Sequence, residues 1–267
     1  MILGWLAVLD GLLSLGLALA SVLLANAAVL APLAGFQLFL LGFLLSVGSV
    51  LFGLLVLFLG RRKGSRQMQN RGLAGALLGA MVAVPVLWIV LSSSQYPGIN
   101  DITTDFDNPP EFVYAATLEP NRGRDLKYDR AKYADAQRQG YGEPAPLVID
   151  RRPELVFESI QIVAAGMPDW QITHSDPAAL TLEGVSTSRL FRFQDDVIVQ
   201  VRPSPDGKAL VHMRSKSRDG IGDLGVNHRR IREFMDRLAT TAKTPHDLPA
   251  APSPTAPEAA APSPAAP

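Results

Sequence analysis

The sequence predicts an α+β soluble domain, an antiparallel sheet packed against two helices, preceded by three transmembrane α-helices. Three observations carry that prediction. Residues 1 to 91 are almost free of charge and contain three runs long enough to cross a bilayer. From Pro153 onward helical periodicity gives way to strand-like stretches and returns near Asn227. Between them, Ser204-Pro205-Asp206-Gly207-Lys208 has the chemistry of a tight hairpin turn.

The membrane region comes first. A hydrocarbon core about 30 Å thick needs roughly 20 apolar helical residues. Three stretches satisfy this, one between residues 2 and 30, one over about 36–59 and one over about 73–91. Backbone groups cannot face lipid unpaired, so these runs must be helical. Pro32 and Gly35 separate the first two in a short hairpin, and Pro85 lies inside the third. No Lys or Arg precedes the first run and that run is long, which argues against a cleaved signal peptide. Arg61, Arg62, Lys63, Arg66 and Arg71 lie between the second and third runs, whereas the loop around Pro32 carries no charge. An excess of basic residues marks cytoplasmic loops, so residues 60 to 72 are expected in the cytoplasm and everything after Ser92 on the other side. In a Gram-negative cell that side is the periplasm, and the expected location is the inner membrane, multi-pass. Trp5, Trp88 and Tyr96 suit interfacial belts. Asp10 is the one acid among these runs. The span is expected to start after it, at Gly11, which leaves the carboxylate at the headgroups; the alternative places it in a proton or solute path. Gly42, Ser46, Gly48, Ser49 and Gly53 would let helices approach closely.

The expected organisation is therefore 1–94 membrane region, 95–243 periplasmic α+β domain, and 244–267 a disordered tail rich in Pro and Ala. Within the domain, residues 95–150 read as an irregular arm, with a short helix around 129–139, and 151–243 as the core. Pro153 suits a first helical position, and Val156, Ile160, Val163 and Met167 recur at helical spacing until Gly166 and Pro168. Strands are expected over 170–174, 180–185, 188–193, 197–202 and 210–218. A last helix near Asn227 buries Ile231, Phe234, Met235 and Leu238. The Pro-Asp-Gly turn pairs Ser204 with Lys208. Val201 then faces Val211 and Val199 faces Met213 on an apolar side. Arg202 faces Leu210 and Gln200 faces His212 on the other, which is expected to be wet and basic. A helix–sheet pair of this size can bury a real core.

Three segments carry a resemblance: Asn100-Asp101-Ile102-Thr103-Thr104-Asp105 with Pro109-Pro110; Phe193-Gln194-Asp195-Asp196-Val197 leading to Val201-Arg202; and Arg214-Ser215-Lys216-Ser217-Arg218, Asp223-Leu224-Gly225-Val226-Asn227 and Arg230-Ile231. On these, residues from about 97 to 238 resemble the bacterial family numbered 1499 among domains of unknown function. The resemblance implies an uncharacterised domain, commonly behind hydrophobic helices, and no established activity.

The chain has 25 basic and 25 acidic residues and no cysteine, which excludes disulfides, thiolate nucleophiles and cysteine-bound metal. His174, His212, His228 and His246 lack metal-ligand spacing, and nucleophile-elbow, Walker and dinucleotide motifs are missing. No catalytic residue, metal or cofactor is expected, and no nucleic acid partner. Asp195 and Asp196 are adjacent on a strand, so their carboxylates should diverge, with Asp196 meeting Lys216 across the hairpin. Asp223, Gly225 and Asn227 read as turn and cap chemistry, with Arg218 in reach of Asp223. The preferred reading is a non-enzymatic envelope protein. Its partners are the lipid bilayer and an anionic lipid, glycan or envelope protein, bound through Arg202, Arg214, Lys216, Arg218, Asp223 and Asn227. The bland reading is a sheet face neutralised by Asp196 or by Asp101, Asp105 and Asp107 of the arm. The alternative function is an envelope hydrolase acting on lipid or cell-wall material, using Asp195 or Asp223 with His212.

Overall fold

A computed structural model describes residues 2–242; the expected tail and His246 lie outside the described residues. The N-terminal third is three helices, α1 (Ile2–Asn26), α2 (Pro32–Arg62) and α3 (Arg66–Ser93), each long and apolar enough to cross a membrane. The chain is a membrane protein. Each helix turns its small residues inward: Ala7, Gly11 and Ser14 in α1, Gly42, Ser46 and Gly53 in α2, Gly72, Gly75 and Gly79 in α3. The leucines face outward, exposed toward what would be lipid. This is the packing expected where lipid and Leu are equally apolar and only close backbone approach favours association. A Cβ on Gly75 would collide with the Ala7 carbonyl, and one on Gly53 with the backbone of Ala76. Gly48 is the exception among the small residues singled out from sequence: it points outward with open space around it.

Two details of the membrane region differ from expectation. The helical part of α1 after Asp10 ends at Asn26, not Leu30. From Gly11 it extends only about 24 Å, short of a core of roughly 30 Å. The helix long and apolar enough to cross a membrane, Ile2–Asn26, contains Asp10 in its first half. The basic residues also flank the α2–α3 turn more than they fill it: Arg61 and Arg62 close α2, Ser65 caps α3 by accepting from the Met68 N–H, and Arg71 lies a turn inside α3 with its guanidinium 4.2 Å from the Trp5 ring centre.

After α3 come β1 (Asp101–Thr103), two 3-10 turns at Ala115–Thr117 and Glu119–Asn121, α4 (Arg130–Tyr141), β2 (Leu147–Ile149), α5 (Pro153–Ala165), β3 (Trp170–Asp176), β4 (Thr181–Thr187), β5 (Gln194–Pro203), β6 (Ala209–Ser217) and α6 (Val226–Thr241). The strands form one antiparallel sheet in the order β1-β6-β5-β4-β3, with β2 sharing the outer edge of β6 with β1. The hairpin register is the one the turn dictates: Val201 pairs with Val211, Val199 with Met213, Arg202 with Leu210 and Gln200 with His212. Gly207 takes the left-handed conformation there, at φ 79°. Asp129 caps α4 through the Lys132 N–H.

One face of the sheet packs on α5 and α6. Val156, Ile160, Phe234 and Leu238 close over Leu182, Val197, Val199, Val211 and Met213, and Trp170 stacks on Phe234 at 5.4 Å. The other face is covered by the arm, where Phe112, Ala115 and Leu126 enclose Ile198. The expectation of an open, wet basic face is therefore corrected: the arm buries it. Residues 188–193, expected as a strand, form a tight loop in which the Ser188 N–H donates to the Phe193 carbonyl and Arg192 has φ 60°. That loop leans on the membrane helices. Phe191 meets Phe36 and Phe39 edge to face at 5.6 and 5.3 Å, and the Asn26 amide donates to the Leu190 carbonyl at 2.7 Å.

Candidate functional site

Alternation along β5 and β6 sends even-numbered side chains to the arm and odd-numbered ones to the helices. On the arm side every basic residue proposed from sequence meets an internal carboxylate. Arg214 is fully buried and binds Asp101 through two parallel hydrogen bonds, Nε to Oδ1 at 2.8 Å and Nη2 to Oδ2 at 2.7 Å. It also donates to the Leu126 and Pro110 carbonyls and lies over the rings of Phe112 and Tyr128. Lys216 reaches the same Asp101 at 2.8 Å. Asp196 pairs in register with Lys216, as expected, yet its ionic partners are Arg218 at 2.7 Å and Arg124 at 3.1 Å. Arg218 therefore turns to Asp196 and Gln194 instead of Asp223. Arg202 binds Asp105 at 2.9 Å and the Asn108 carbonyl at 2.7 Å.

Burial opposes ionisation of Asp105, but N–H donors of Asn108 and Asp107 and the Arg202 guanidinium outweigh it and hold the carboxyl below its ordinary range. Burial and then Arg202 lower the pKa of His212, against an opposite pull from Asp105 at 3.7 Å. A ligand for this set of cations would have to displace the arm's own carboxylates, a demanding exchange for groups already desolvated and paired.

On the helix side, Asp195 binds Arg230 of α6 at 2.5 Å, so the two adjacent aspartates do diverge to opposite faces. Asn227 is buried, accepting from the Ser215 hydroxyl at 2.6 Å and donating to Ser217 at 2.9 Å. Asp223 accepts from the Gly225 and Asn227 N–H groups, capping α6 with Gly225 left-handed at φ 78°. Burial raises its carboxyl above the ordinary value against those two bonds. The acid/base pair considered from sequence is not assembled: His212 and Asp195 point to opposite faces of the sheet. Among the described residues no group of three or more His, Asp and Glu side chains converges on a possible metal position.

Sequence reasoning missed Glu183. Its buried carboxylate accepts three backbone N–H groups, from Val113, Tyr114 and Ala115, at 2.7 to 2.9 Å. It also missed Arg124 and Arg230, whose partners lie 72 and 35 residues away. An unmatched acid in an apolar strand, such as Glu183 between Leu182 and Gly184, was the one available signal.

An open concavity lies elsewhere, between α4 and α6. A cleft of about 690 Å³ is lined by Tyr96, Tyr141, His228, Arg229, Arg232, Glu233, Asp236 and Arg237. A smaller hollow of about 280 Å³ continues from it past Tyr141 to Thr103 and Gln137. Tyr141 stacks on His228 with ring centres 4.1 Å apart, and Tyr96 lies 5.8 Å from Tyr141. Arg229 covers Tyr96, and Arg237 is paired with Glu233 at 2.7 Å. Burial, then Arg232 and Arg229, depress the His228 pKa and so favour its neutral imidazole. Tyr141 holds its proton strongly because burial and Asp223 disfavour the phenolate, and its hydroxyl has no hydrogen-bond partner among the described residues. The cleft begins at Tyr96, within a turn of the end of α3.

Fold and site together define a membrane-tethered α+β module whose charged motif residues lock an irregular arm onto a sheet. Residues 101–238 match the family described as "Protein of unknown function (DUF1499)", and the chain belongs to that family. No curated protein matches the chain.

Proposed function

We propose that this is a multi-pass protein of the cell inner membrane whose C-terminal domain stands in the periplasm and binds an anionic envelope component in the cleft between α4 and α6. The carrying observation is the pairing of Arg229 and Arg232 with the Tyr96–Tyr141–His228 stack, in an open cleft beside the end of α3. Arginine recognises phosphate and carboxylate through forked hydrogen bonds, and stacked rings receive apolar or sugar faces. Arg61, Arg62 and Lys63 at the opposite end support the orientation. The domain is read as a binding rather than a catalytic module, with Arg202, Arg214, Lys216, Arg218, Asp223 and Asn227 acting by holding the cleft's scaffold. Two measurements test this. Alkaline phosphatase fused to the C-terminus should be active, and a green fluorescent protein fusion dark. Calorimetric titration of the full chain in neutral detergent with short-chain phosphatidylglycerol should saturate. Binding should weaken at least about tenfold in Arg232→Ala, the loss expected for one charge-assisted hydrogen bond. Equal binding by Arg229→Ala, Arg232→Ala and the parent would remove the cleft as the site.

A further inference from the structure

We infer that two loops of the soluble domain, 188–193 and 218–225, seat it in the headgroup layer of the bilayer leaflet on the side where α3 ends. Both loops lie at one end of the sheet, because Gln194 pairs with Thr187 and Asp195 with Ser217. The first is fixed to the membrane helices themselves, the second to the segment that leaves α3. The first loop places Phe191 against Phe36 and Phe39 and bonds Leu190 to Asn26. The second packs Gly222 on Gly98, accepts from the Asn100 amide at Gly220 and donates from the Asp223 N–H to the Ile99 carbonyl, all within a few residues of the α3 terminus.

The depth follows from helix length. With Arg61 and Arg62 marking the far end of α2, roughly 20 residues of hydrocarbon reach back to about Leu41. Phe36, Phe39 and Phe191 then fall in the interfacial zone where aromatic rings collect.

At this level the two loops carry large apolar side chains left exposed among the described residues: Leu190 at 60 %, Ile221 at 88 % and Leu224 at 52 %. On a surface facing water such a set would be a liability, and continuity with the Phe36–Phe191 contact identifies the bilayer as its cover. Arg192 and Arg229, both exposed, flank the apolar tips and suit the phosphate layer. The inference does not depend on which compartment this side faces, nor on the cleft's ligand.

The chain has no cysteine, so single cysteines can be labelled cleanly in the full-length protein. Leu190→Cys, Ile221→Cys and Leu224→Cys carry an environment-sensitive nitrobenzoxadiazole label in phosphatidylcholine nanodiscs. Asp206→Cys, at the far end of β5 and roughly 30 Å away, is the control. Each of these sites is exposed, and an unchanged melting temperature verifies folding. Labels in both loops should emit to the blue of the control, be quenched by lipids bearing a nitroxide near the headgroup, and resist aqueous iodide. Iodide quenching equal to that at position 206 overturns the inference. So does lipid quenching at one loop alone, since a two-loop seat requires both.

Discussion

Asp101 and Arg214 face each other fully buried, side by side in the β1–β6 pair, with two hydrogen bonds of 2.8 and 2.7 Å between them. Their register partners are Lys216 and Thr103, so the contact is diagonal across the sheet edge. Asp101 is the first residue of a three-residue strand at the start of the arm. Its carboxylate also takes Lys216, so one buried acid tethers the arm to two cations of β6.

Removing that acid should therefore be costly. In Asp101→Asn the forked bond is lost and Arg214 stays buried without a counter-charge, a loss of about 3–5 kcal/mol. Arg214→Lys should not restore the parent, because an ammonium cannot make the forked bond and still reach the Leu126 and Pro110 carbonyls. Denaturant unfolding of the purified full chain measures both. Stability within about 1 kcal/mol of the parent in Asp101→Asn would show the pair to be incidental.

The membrane bundle makes a similarly sharp prediction about size. A Cβ on Gly75 would collide with the Ala7 carbonyl oxygen, whereas one on Gly48 would meet nothing within 4 Å. Gly75→Val should separate α1 from α3 and lower the melting temperature of the detergent-solubilised protein. Gly48→Val should leave it unchanged apart from a helix-propensity effect below about 1 kcal/mol. Equal effects at the two positions would contradict the observed packing.

Much of this was legible in the sequence where the cause is local. Hydropathy placed three helices, Pro-Asp-Gly set the β5–β6 register, and alternation sent Asp195 and Asp196 to opposite faces. The arm was not legible. Its order comes from contacts such as Arg214 with Asp101, 113 residues apart, and no periodicity records them. Missing that cover turned a buried salt-bridge layer into an apparently open basic face. The loop at 188–193 was misread because Leu190, Phe191 and Phe193 look like strand residues. Phe191 and Phe193 pack on α2 and not on the sheet, and Leu190 is exposed. The cleft drew no notice because its rings, Tyr96, Tyr141 and His228, come from three separate segments.

Glu183 offers a test of the arm's other anchor. Its carboxylate accepts three N–H groups, and an amide in its place would point a donor at one of them. Glu183→Gln should cost about 1–3 kcal/mol, the range for an unsatisfied buried polar group. It should also open the chain near Val113 to limited proteolysis before the sheet unfolds. Cleavage elsewhere first, with the 112–126 segment still protected, would show that Glu183 does not hold the arm.

His212 gives the domain a pH dependence of definite sign. Among the described residues its buried Nδ1 has no hydrogen-bond partner, Asp105 lies 3.7 Å from it, and Arg202 binds that Asp105. Burial first, and Arg202 second, push its pKa below the ordinary 6.5, against a weaker opposite pull from Asp105. As pH falls through 6.5, the unfolded chain takes up a proton that the folded chain refuses, so stability declines until the lowered folded value is reached. His228, depressed by burial, Arg232 and Arg229, acts in the same direction. Asp105, held below 3.8, loses its contribution only as pH falls below that value, whereas Asp223, raised above 3.8, works oppositely and above it, adding stability as pH falls from its raised value toward 3.8. The melting temperature of the full chain should therefore drop between about pH 7 and about pH 5.5, where histidine is the titrating side chain. His212→Gln should flatten part of that slope and His212→Gln with His228→Gln most of it. A slope that the double variant leaves intact would place the titrating groups elsewhere and show that His212 accepts its proton inside the folded domain.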